Sequence, residues 1–313
     1  MENNNMKGSP LEKVVGGIMG FAIGDALGAP VEFKDQPHAV KDLEDSPSKG
    51  LKAGQFTDDT QQLLLVLDSL IANEGTINIG DMANRIVKLY NSPHIRSVGY
   101  TTKRAVENLR RGMLPNCSGL NGSGSLALPR VIPYSILSSL VSYNNKIDTS
   151  DIRKIMKITH DNKEVFKMGF LVNYYIQEMM NGKTCSEVTD QIVHENYFLN
   201  KKIRDKIGSV KGLAEQSGDR FKDIQKIGNT GFIEHVVYSS LYALQAGKDF
   251  KESVLIAANG TGDTDSRAAI TGALAGIQYG ISGIPSEWIS KVEQSKDLFS
   301  KSTQLYDLRE KYL

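Results

Sequence analysis

Two apolar segments rich in small residues constrain the fold of this chain more than any other feature. Residues 14–27 are apolar with glycine and alanine throughout, and residues 266–279 read SRAAITGALAGIQY. Glycine weakens an isolated helix, but it suits a helix that neighbours crowd on all sides. We therefore predict two buried helices, with the second at the centre of a helical bundle.

Helical patterns also dominate the rest of the chain, and sustained two-residue alternation typical of strands is hard to find. A connection rich in Pro, Asp, Ser and Lys spans residues 34–53. Further helices are predicted at residues 80–91, 101–111, 130–143, 151–160, 163–181, 185–196 and 231–246. With no break in composition, the prediction is an all-α fold: a compact single-domain helical bundle over residues 11–313 after a flexible N-terminus over residues 1–10.

The charge balance and the cysteine content indicate which kinds of binding partner and which cellular compartment to expect. The 37 Lys and Arg residues nearly balance the 36 Asp and Glu residues, so nothing favours nucleic acid or an anionic membrane as partner. Two cysteines, Cys117 and Cys185, are too few for a disulfide framework. Asp25 interrupts the first apolar run, so neither a signal peptide nor a membrane span is predicted. We expect a cytoplasmic protein, a monomer, whose partner is a small molecule or another protein.

The motif Thr57-Asp58-Asp59 stands directly before an apolar run, as at a capped helix start. Acidic residues in a first turn complement the positive end of the helix dipole. The same two carboxylates could straddle a cation, and hard oxygen ligands favour magnesium, manganese or calcium over zinc. Taken alone, this motif is explained as well by capping as by metal binding.

A second acidic motif, Asp263-Thr264-Asp265-Ser266, opens the helix predicted to be central and buried. Buried carboxylates are costly unless they meet a cation or several hydrogen-bond donors. A Gly-Asp turn followed by a capped helix remains the alternative. Two such motifs, each opening a helix, favour a metal site more strongly than either one alone.

Three other features carry weaker signals. By pattern alone, Glu32 in GDALGAPVEF is a surface carboxylate, and His160 in ITHDN is a structural histidine. The loop NGSGSLALPR, residues 121–130, has glycines whose N–H groups could cradle a phosphate. It fits neither the dinucleotide fingerprint nor the P-loop, so it is a weak nucleotide signal.

Taken together, these segments resemble the ADP-ribosylglycohydrolase family, which includes the dinitrogenase reductase-activating glycohydrolase and the ADP-ribosyl-acceptor hydrolases. The matching segments are GGIMGFAIGDALGAPVEF, GQFTDDTQQLLLVLDSL, GSGSLALPR, ITH and NGTGDTDSRAAITGALAGIQYGISGIPSEW, in the family's order. The resemblance implies an all-α fold with two divalent metal ions, magnesium or else manganese, in a central cleft.

The resemblance also implies a set of site residues. The expected metal ligands are Thr57, Asp58, Asp59, Asp263, Asp265 and Ser266. Glu32, Asp58 and Asp59 are the expected catalytic residues, and Glu32 is expected either to coordinate one of the ions or to handle the proton of the attacking water. The expected ADP-ribose contacts are Gly99, Thr102, Ser123, Gly124, Ser125 and His160. Relatives commonly have threonine where this chain has Ser266, and asparagine where it has Ser123.

The implied activity is magnesium-dependent removal of ADP-ribose from an acceptor, with ADP-ribosylarginine on a protein placed first. Two alternatives remain open from the sequence. One is hydrolysis of a serine-linked or O-acyl ADP-ribose conjugate. The other is a protein that binds ADP-ribose or a toxin, as an antitoxin or immunity protein would.

Overall fold

The computed structural model of this protein describes residues 8–34, 39–97, 99–141, 149–195, 199–216 and 218–311. Over these residues the chain is helical, with isolated bridges and no strand. The helices are α1 (Pro10–Gly28), α2 (Asp58–Ala72), α3 (Ile79–Tyr90), α4 (Tyr100–Arg110), α5 (Val131–Val141), α6 (Thr149–Lys157), α7 (Lys163–Met180), α8 (Cys185–Glu195), α9 (Lys201–Glu215), α10 (Arg220–Ile227), α11 (Ile233–Ala246), α12 (Phe250–Ala258), α13 (Thr264–Tyr279), α14 (Ser286–Lys291) and α15 (Ser295–Asp307). The predicted all-α class is confirmed.

The helices α1 and α13 form the most extensive helix pair in the fold. They run antiparallel and touch backbone to backbone through small residues four positions apart. A Cβ atom added to Gly24 would lie 1.9 Å from the carbonyl oxygen of Ala268, closer than atoms can approach. The other facing pairs are Gly16 with Gly276 and Gly20 with Gly272. The glycines of both predicted core helices therefore allow this close contact. A larger side chain at these positions would push the two helices apart.

This pairing brings the end of α1 to the start of α13. A Cβ atom on Gly28 would lie 2.4 Å from the Cα atom of Asp265. The hydroxyl of Thr264 donates a hydrogen bond to the carbonyl oxygen of Gly28 at 2.8 Å. A 3₁₀ turn, Ala29–Val31, follows α1 and leads directly into Glu32. The packing of the core thus places Glu32 beside the second acidic motif.

The predicted helices are found, with ends that differ by a few residues. The helix α1 begins at Pro10 because Ser9 and Glu12 form a capping box, each side chain accepting the other residue's backbone N–H. The helix α6 ends at Lys157, before His160, because the following residues pair with Leu120. Helices α9, α10, α12, α14 and α15 were not predicted. Residues 1–7 lie outside the described residues, so the flexible N-terminus and the domain boundary at residue 11 stay predictions.

One helical stretch in the described residues, 10–31, is long and apolar enough to cross a membrane by length and composition. Every residue of its apolar window is buried inside the fold. Such burial is what a core helix shows, and the partner that covers this one is α13. The compartment of the protein stays a prediction.

Candidate metal centre and substrate cleft

The first acidic motif lies at the N-terminus of α2 and is held there by a buried carboxylate of α1. Thr57 is the N-cap residue, and its hydroxyl accepts a hydrogen bond from the N–H of Asp59 at 3.3 Å. Asp25 accepts the N–H groups of Thr57 and Thr60, each at 2.9 Å, and the Thr60 hydroxyl at 2.6 Å. The predicted capped helix start is confirmed. With Thr57 as the cap and Asp25 as the anchor, Asp58 and Asp59 are not needed for capping.

The second acidic motif lies at the N-terminus of α13, where Asp263 is the N-cap residue. Its side chain makes no capping hydrogen bond. Instead its Oδ2 accepts the hydroxyl of Ser125 at 3.0 Å. A carboxylate at an N-cap ordinarily satisfies a free N–H of the first turn. Capping therefore does not explain the position of Asp263.

The fold joins the two motifs, which lie about two hundred residues apart in sequence. The hydroxyl of Ser266 donates to Asp59 Oδ2 at 2.8 Å. It also lies 3.3 Å from the hydroxyl of Ser125. The side chains of Asp58, Asp59, Asp263, Asp265 and Ser266 are all buried or nearly so. Oxygen atoms from two helix N-termini and one loop thus converge on a single acidic cluster.

Glu32 completes this acidic cluster on its open side. Ligand atoms of Glu32, Asp263 and Asp265 lie within 4.8 Å of one another, close enough to hold one metal ion. A lysine, Lys49, reaches into the same place: its Nζ contacts the carboxylate of Glu32 and lies 3.1 Å from Asp265 Oδ2. The carboxylate that pattern alone assigned to the surface therefore belongs to the cluster.

Burial and mutual repulsion make the cluster unfavourable without a cation. Burial first, and then the charge of Asp265, raise the pKa of Asp25 to about 6 and that of Glu32 to about 7. The pKa values of Asp58, Asp59 and Asp263 are raised well above their ordinary range for the same reasons. Asp59 Oδ1 is buried without a hydrogen-bond partner. Oxygen donors crowded in this way suit hard divalent cations, so the residues fit the metal ions that the resemblance implies.

The loop that carries three of the predicted substrate residues lies beside the acidic cluster, where Ser125 contacts Asp263 and Ser266. The loop residues Ser123 and Ser125 pair through their backbones with Ile233 and Gly231, at 2.9 and 3.1 Å. A Cβ atom on Gly124 would lie 3.6 Å from His160 Nε2. His160 is buried, and its other ring nitrogen, Nδ1, lies 2.8 Å from the Thr159 hydroxyl. Burial, and then the charge of Arg130, lower the pKa of His160 to about 3, so its imidazole is neutral.

The remaining predicted residues lie at the start of α4. Gly99 is its exposed N-cap, and a Cβ atom there would lie 3.7 Å from the side chain of Leu126. Thr102 is buried together with its hydroxyl group. The hydroxyl of Tyr90 is also buried, and its side chain interacts with that of Thr102. The two hydroxyls therefore lie side by side at the start of α4, close to the first acidic motif, whose charges raise the pKa of Tyr90 further after burial.

Sequence reasoning missed several residues that support the acidic cluster and the predicted substrate residues. Arg130 is fully buried and donates to Gln62 of α2 and to Thr159, which links the first acidic motif to the segment of His160. Burial lowers the pKa of Arg130 to about 10. Asp25 and Lys49 were also missed. Of these residues, only Asp25 had a signal in the sequence, because it is a charged residue inside a predicted apolar helix.

An all-α fold whose helix N-termini bring carboxylates together in one acidic cluster defines a candidate hydrolase with a hard-metal centre. Residues 6–312 match the family model described as ADP-ribosylglycohydrolase, and the chain belongs to this family. Membership supports an enzyme that removes ADP-ribose, and it confirms the resemblance predicted from the motifs.

Known relatives extend over nearly the whole chain. The ADP-ribosylarginine hydrolase Tri1 of Pseudomonas putida (strain GB-1) is 29% identical, with 95% of this chain and 78% of the relative covered. The ADP-ribosyl-[dinitrogen reductase] glycohydrolase of Rhodospirillum rubrum is 25% identical, with 90% of each covered. A solved structure titled "ADP-ribosylglycohydrolase-related protein complex" superposes with a TM-score of 0.79 at 25% identity, covering 96% of this chain and 99% of that one.

Proposed function

We propose that this protein is a divalent-metal-dependent hydrolase that cleaves ADP-ribose from modified arginine on a protein. The observation that carries the proposal is the contact between Ser266 and Asp59, at 2.8 Å, which joins the two acidic motifs. Ser125 of the glycine-rich loop touches the same cluster through Asp263. The proposed metal ligands and the proposed substrate loop are therefore parts of one site.

In this proposal Thr57, Asp58, Asp59, Asp263, Asp265 and Ser266 hold two divalent ions, magnesium first and manganese as the alternative. Bound there, the ions would supply Lewis acidity and a fixed anchor for the hydroxyl groups of a ribose. The carboxylates of Asp58 and Asp59 would also stabilise the positive charge that develops on the sugar as the glycosidic bond breaks.

Glu32 is the proposed general base for the attacking water. Its side chain is partly exposed, at 19%, so water can reach it. Burial and the charge of Asp265 raise its pKa to about 7. A carboxylate with a pKa near the working pH can both take a proton from water and pass it on. The carboxylate of Glu32 is thus suited to carrying the proton in either direction.

The substrate contacts we propose are the backbone and side chains of Ser123, Gly124 and Ser125, together with Gly99, Thr102 and His160. A neutral imidazole at His160 can donate or accept a hydrogen bond, but it cannot supply charge to a diphosphate. The buried hydroxyl of Thr102, which lies beside Tyr90, would form one hydrogen bond with ADP-ribose.

Two observations support arginine as the acceptor. One is the similarity to an ADP-ribosylarginine hydrolase over 95% of this chain. The other is a pair of exposed phenyl rings at the open side of the cluster, Phe33 next to Glu32 and Phe232 next to Gly231. Phe33 lies within 4.0 Å of a Cβ position on Gly231, and that position is 3.1 Å from Asp263. A planar guanidinium group stacks well on an aromatic face.

The test is a panel of ADP-ribosylarginine, ADP-ribosylserine and O-acetyl-ADP-ribose, each assayed for ADP-ribose release with magnesium and with EDTA. We expect magnesium-dependent release from ADP-ribosylarginine above the other two. Phe33→Ala should raise KM for ADP-ribosylarginine alone, whereas Phe299→Ala, on the exposed face of α15, should change nothing.

The other outcomes of the panel each contradict part of the proposal. Faster release from ADP-ribosylserine or O-acetyl-ADP-ribose would show that arginine is not the preferred acceptor. The protein would still be a hydrolase that releases ADP-ribose. Release from none of the three, together with measurable binding of ADP-ribose, would favour a binding protein of the antitoxin or immunity kind.

A further inference from the structure

Lys49 holds the open side of the acidic cluster with its ammonium group. It lies in the 3₁₀ turn Pro47–Lys49, in a connection that the sequence marks only as polar. Its Nζ contacts Glu32 and lies 3.1 Å from Asp265 Oδ2, and its side chain is 15% exposed. Lys49 therefore supplies a positive charge to the carboxylates of Glu32 and Asp265.

Other basic residues near the cluster do not play this part. Arg267 of α13 is fully buried, but it donates to the backbone carbonyl oxygens of Ala257 and Thr261. Lys52, three residues after Lys49, is 81% exposed at its side chain and pairs with Asp45 on the surface. Among the ion pairs of the described residues, those of Lys49 are the ones that reach Glu32 and Asp265.

The carboxylates that Lys49 contacts also belong to the group able to hold a metal ion, Glu32, Asp263 and Asp265. A divalent ion coordinates carboxylate oxygens directly, and hydrogen bonds from an ammonium group to the same carboxylates leave fewer lone pairs for that coordination. An ammonium group on the same carboxylates would also repel the ion over a few ångströms, in a site where burial weakens screening. The ammonium and the metal ion are thus rivals for one place.

We infer that Lys49 is an internal cation that occupies the Glu32–Asp265 side of the metal centre in the metal-free protein and must leave it when a divalent ion binds. Lys49 therefore lowers the affinity of the centre for metal and stabilises the protein when metal is absent. It is a positioning residue for Glu32, since its ammonium holds that carboxylate against Asp265. The inference rests on the metal centre of the proposed function, and it does not depend on which acceptor is cleaved.

The turn that carries Lys49 is anchored at its base and open at its tip. Its ends are joined by backbone hydrogen bonds between Ser46 and Leu51, at 2.8 and 3.0 Å. The hydroxyl of Ser46 donates to the carbonyl oxygen of Ala29, in the segment that leads to Glu32. Gly50, which follows Lys49, has nothing within 4 Å of a Cβ position, so the tip of the turn faces open space. The side chain of Lys49 can therefore swing outward while the base of the turn stays in place.

The first test compares Lys49→Met with Lys52→Met as the matched control, using purified protein stripped with EDTA. Magnesium or manganese chloride alone is titrated by calorimetry, and thermal unfolding is followed with and without metal. We expect Lys49→Met to bind metal at least ~10-fold more tightly, as removal of one nearby repelling charge should allow. The same variant should unfold at a lower temperature without metal. Lys52→Met should match the wild type in both measurements.

Lys49→Met is expected to raise metal affinity and to lower metal-free stability, and these opposite changes distinguish the proposed role from a purely structural one. A structural lysine would lower both stability and metal affinity when replaced. Lys49→Arg keeps the charge, so it should restore metal-free stability and leave metal affinity weak. If Lys49→Met binds metal as the wild type does, or more weakly, the inference is wrong.

The second test uses the wild-type protein, so it does not depend on a variant that folds. Lysines are labelled with an amine-reactive ester and located by mass spectrometry, with and without saturating magnesium. Lys49 should be protected without magnesium and reactive with it, whereas Lys52 should react in both. Protection of Lys49 in both states would overturn the inference. Failure of the wild type to bind any divalent ion would instead overturn the metal centre of the proposed function.

Discussion

The two halves of the acidic cluster are held in place by different interactions. The half on α13, Asp263 and Asp265, is positioned by backbone contact with α1 through small residues. The half on α2, Asp58 and Asp59, is positioned by hydrogen bonds from Thr57 and Thr60 to the buried carboxylate of Asp25. One half thus depends on close packing, and the other depends on a charged group inside the core.

This difference determines which amino-acid substitutions each half can tolerate. Packing of backbone against backbone has no side chain that can adapt, so added volume must separate the helices. A buried carboxylate with three donors is sensitive to charge and to hydrogen-bonding capacity instead, since its oxygens have no water to replace a lost partner. Both sets of interactions come from α1. This helix therefore positions both halves of the site, although it carries none of the predicted metal ligands.

The largest effect on stability is expected from Gly24→Ala. The new Cβ would lie 1.9 Å from the carbonyl oxygen of Ala268, so α1 and α13 must move apart. Overpacking of this kind costs about 3 kcal/mol or more when backbone has to shift. Urea unfolding should show the loss, and metal binding should weaken as Asp265 moves away from Glu32.

Gly212→Ala on α9 is the matched control, because nothing lies within 4 Å of a Cβ atom there. It should stabilise the protein by roughly 0.5–1 kcal/mol, the usual gain from alanine in a helix. Equal effects from both substitutions would contradict the close α1–α13 contact.

A smaller effect is expected from Asp25→Asn, which tests the other half. An amide has only one oxygen, so either Thr57 or Thr60 must lose its acceptor and face an N–H group instead. Leaving a buried donor unsatisfied costs about 1–3 kcal/mol. In saturating magnesium the variant should unfold earlier in urea, and its magnesium affinity should fall. Asp81→Asn, in the first turn of α3, should leave magnesium affinity unchanged. Wild-type affinity in Asp25→Asn would show that Asp25 does not position the α2 half.

The smallest effect is a pH dependence that both halves share. The pKa of Asp25 is raised to about 6 and that of Glu32 to about 7, so the folded metal-free protein binds protons more tightly than the unfolded chain. The stability that these groups contribute is present at low pH and is lost as pH rises through those folded values. His160 acts in the opposite direction, because its folded pKa is lowered to about 3.

Comparison of metal-free with magnesium-saturated protein separates the carboxylates from His160, which lies outside the acidic cluster. Relative to the magnesium form, metal-free protein should gain about 1.4 kcal/mol per pH unit for each extra proton bound, as pH falls from about 7 to about 4, between the folded and the unfolded pKa values of Glu32 and Asp25. Chemical denaturation at several pH values measures this. Parallel curves for the two forms would contradict the raised pKa values.

Much of the fold followed from local patterns, because helical periodicity, glycine content and caps are written in adjacent residues. The central helices and the capped start of α2 were predicted from such signals and are confirmed. Helix α9 was missed although its buried face, with Ile203, Ile207 and Val210, repeats at helical spacing, whereas the short helix α10 offers only Ile224 and Ile227 as buried apolar residues. Both helices pack against α11.

Only those residues of the candidate site that lie in sequence motifs could be predicted. Asp58 and Asp263 stand in recognisable segments, whereas capping and metal binding could not be separated until the side chain of Asp263 was seen to make no cap. Lys49 reaches Asp265 across 216 residues of sequence, and no local pattern announces such a contact. Arg130 lay inside a motif used for the resemblance, yet its link to Gln62 depends on how α2 packs.

The most direct test of the central claim is magnesium-dependent release of ADP-ribose by Asp58→Asn and Asp263→Asn, one variant for each half. If both halves form one metal centre, each variant alone should fall to the rate measured without magnesium. Circular dichroism should show an intact fold, since loss of one buried charge relieves repulsion. Asp81→Asn should keep the wild-type rate. A wild-type magnesium-dependent rate in either site variant would contradict a single centre built from both helix N-termini.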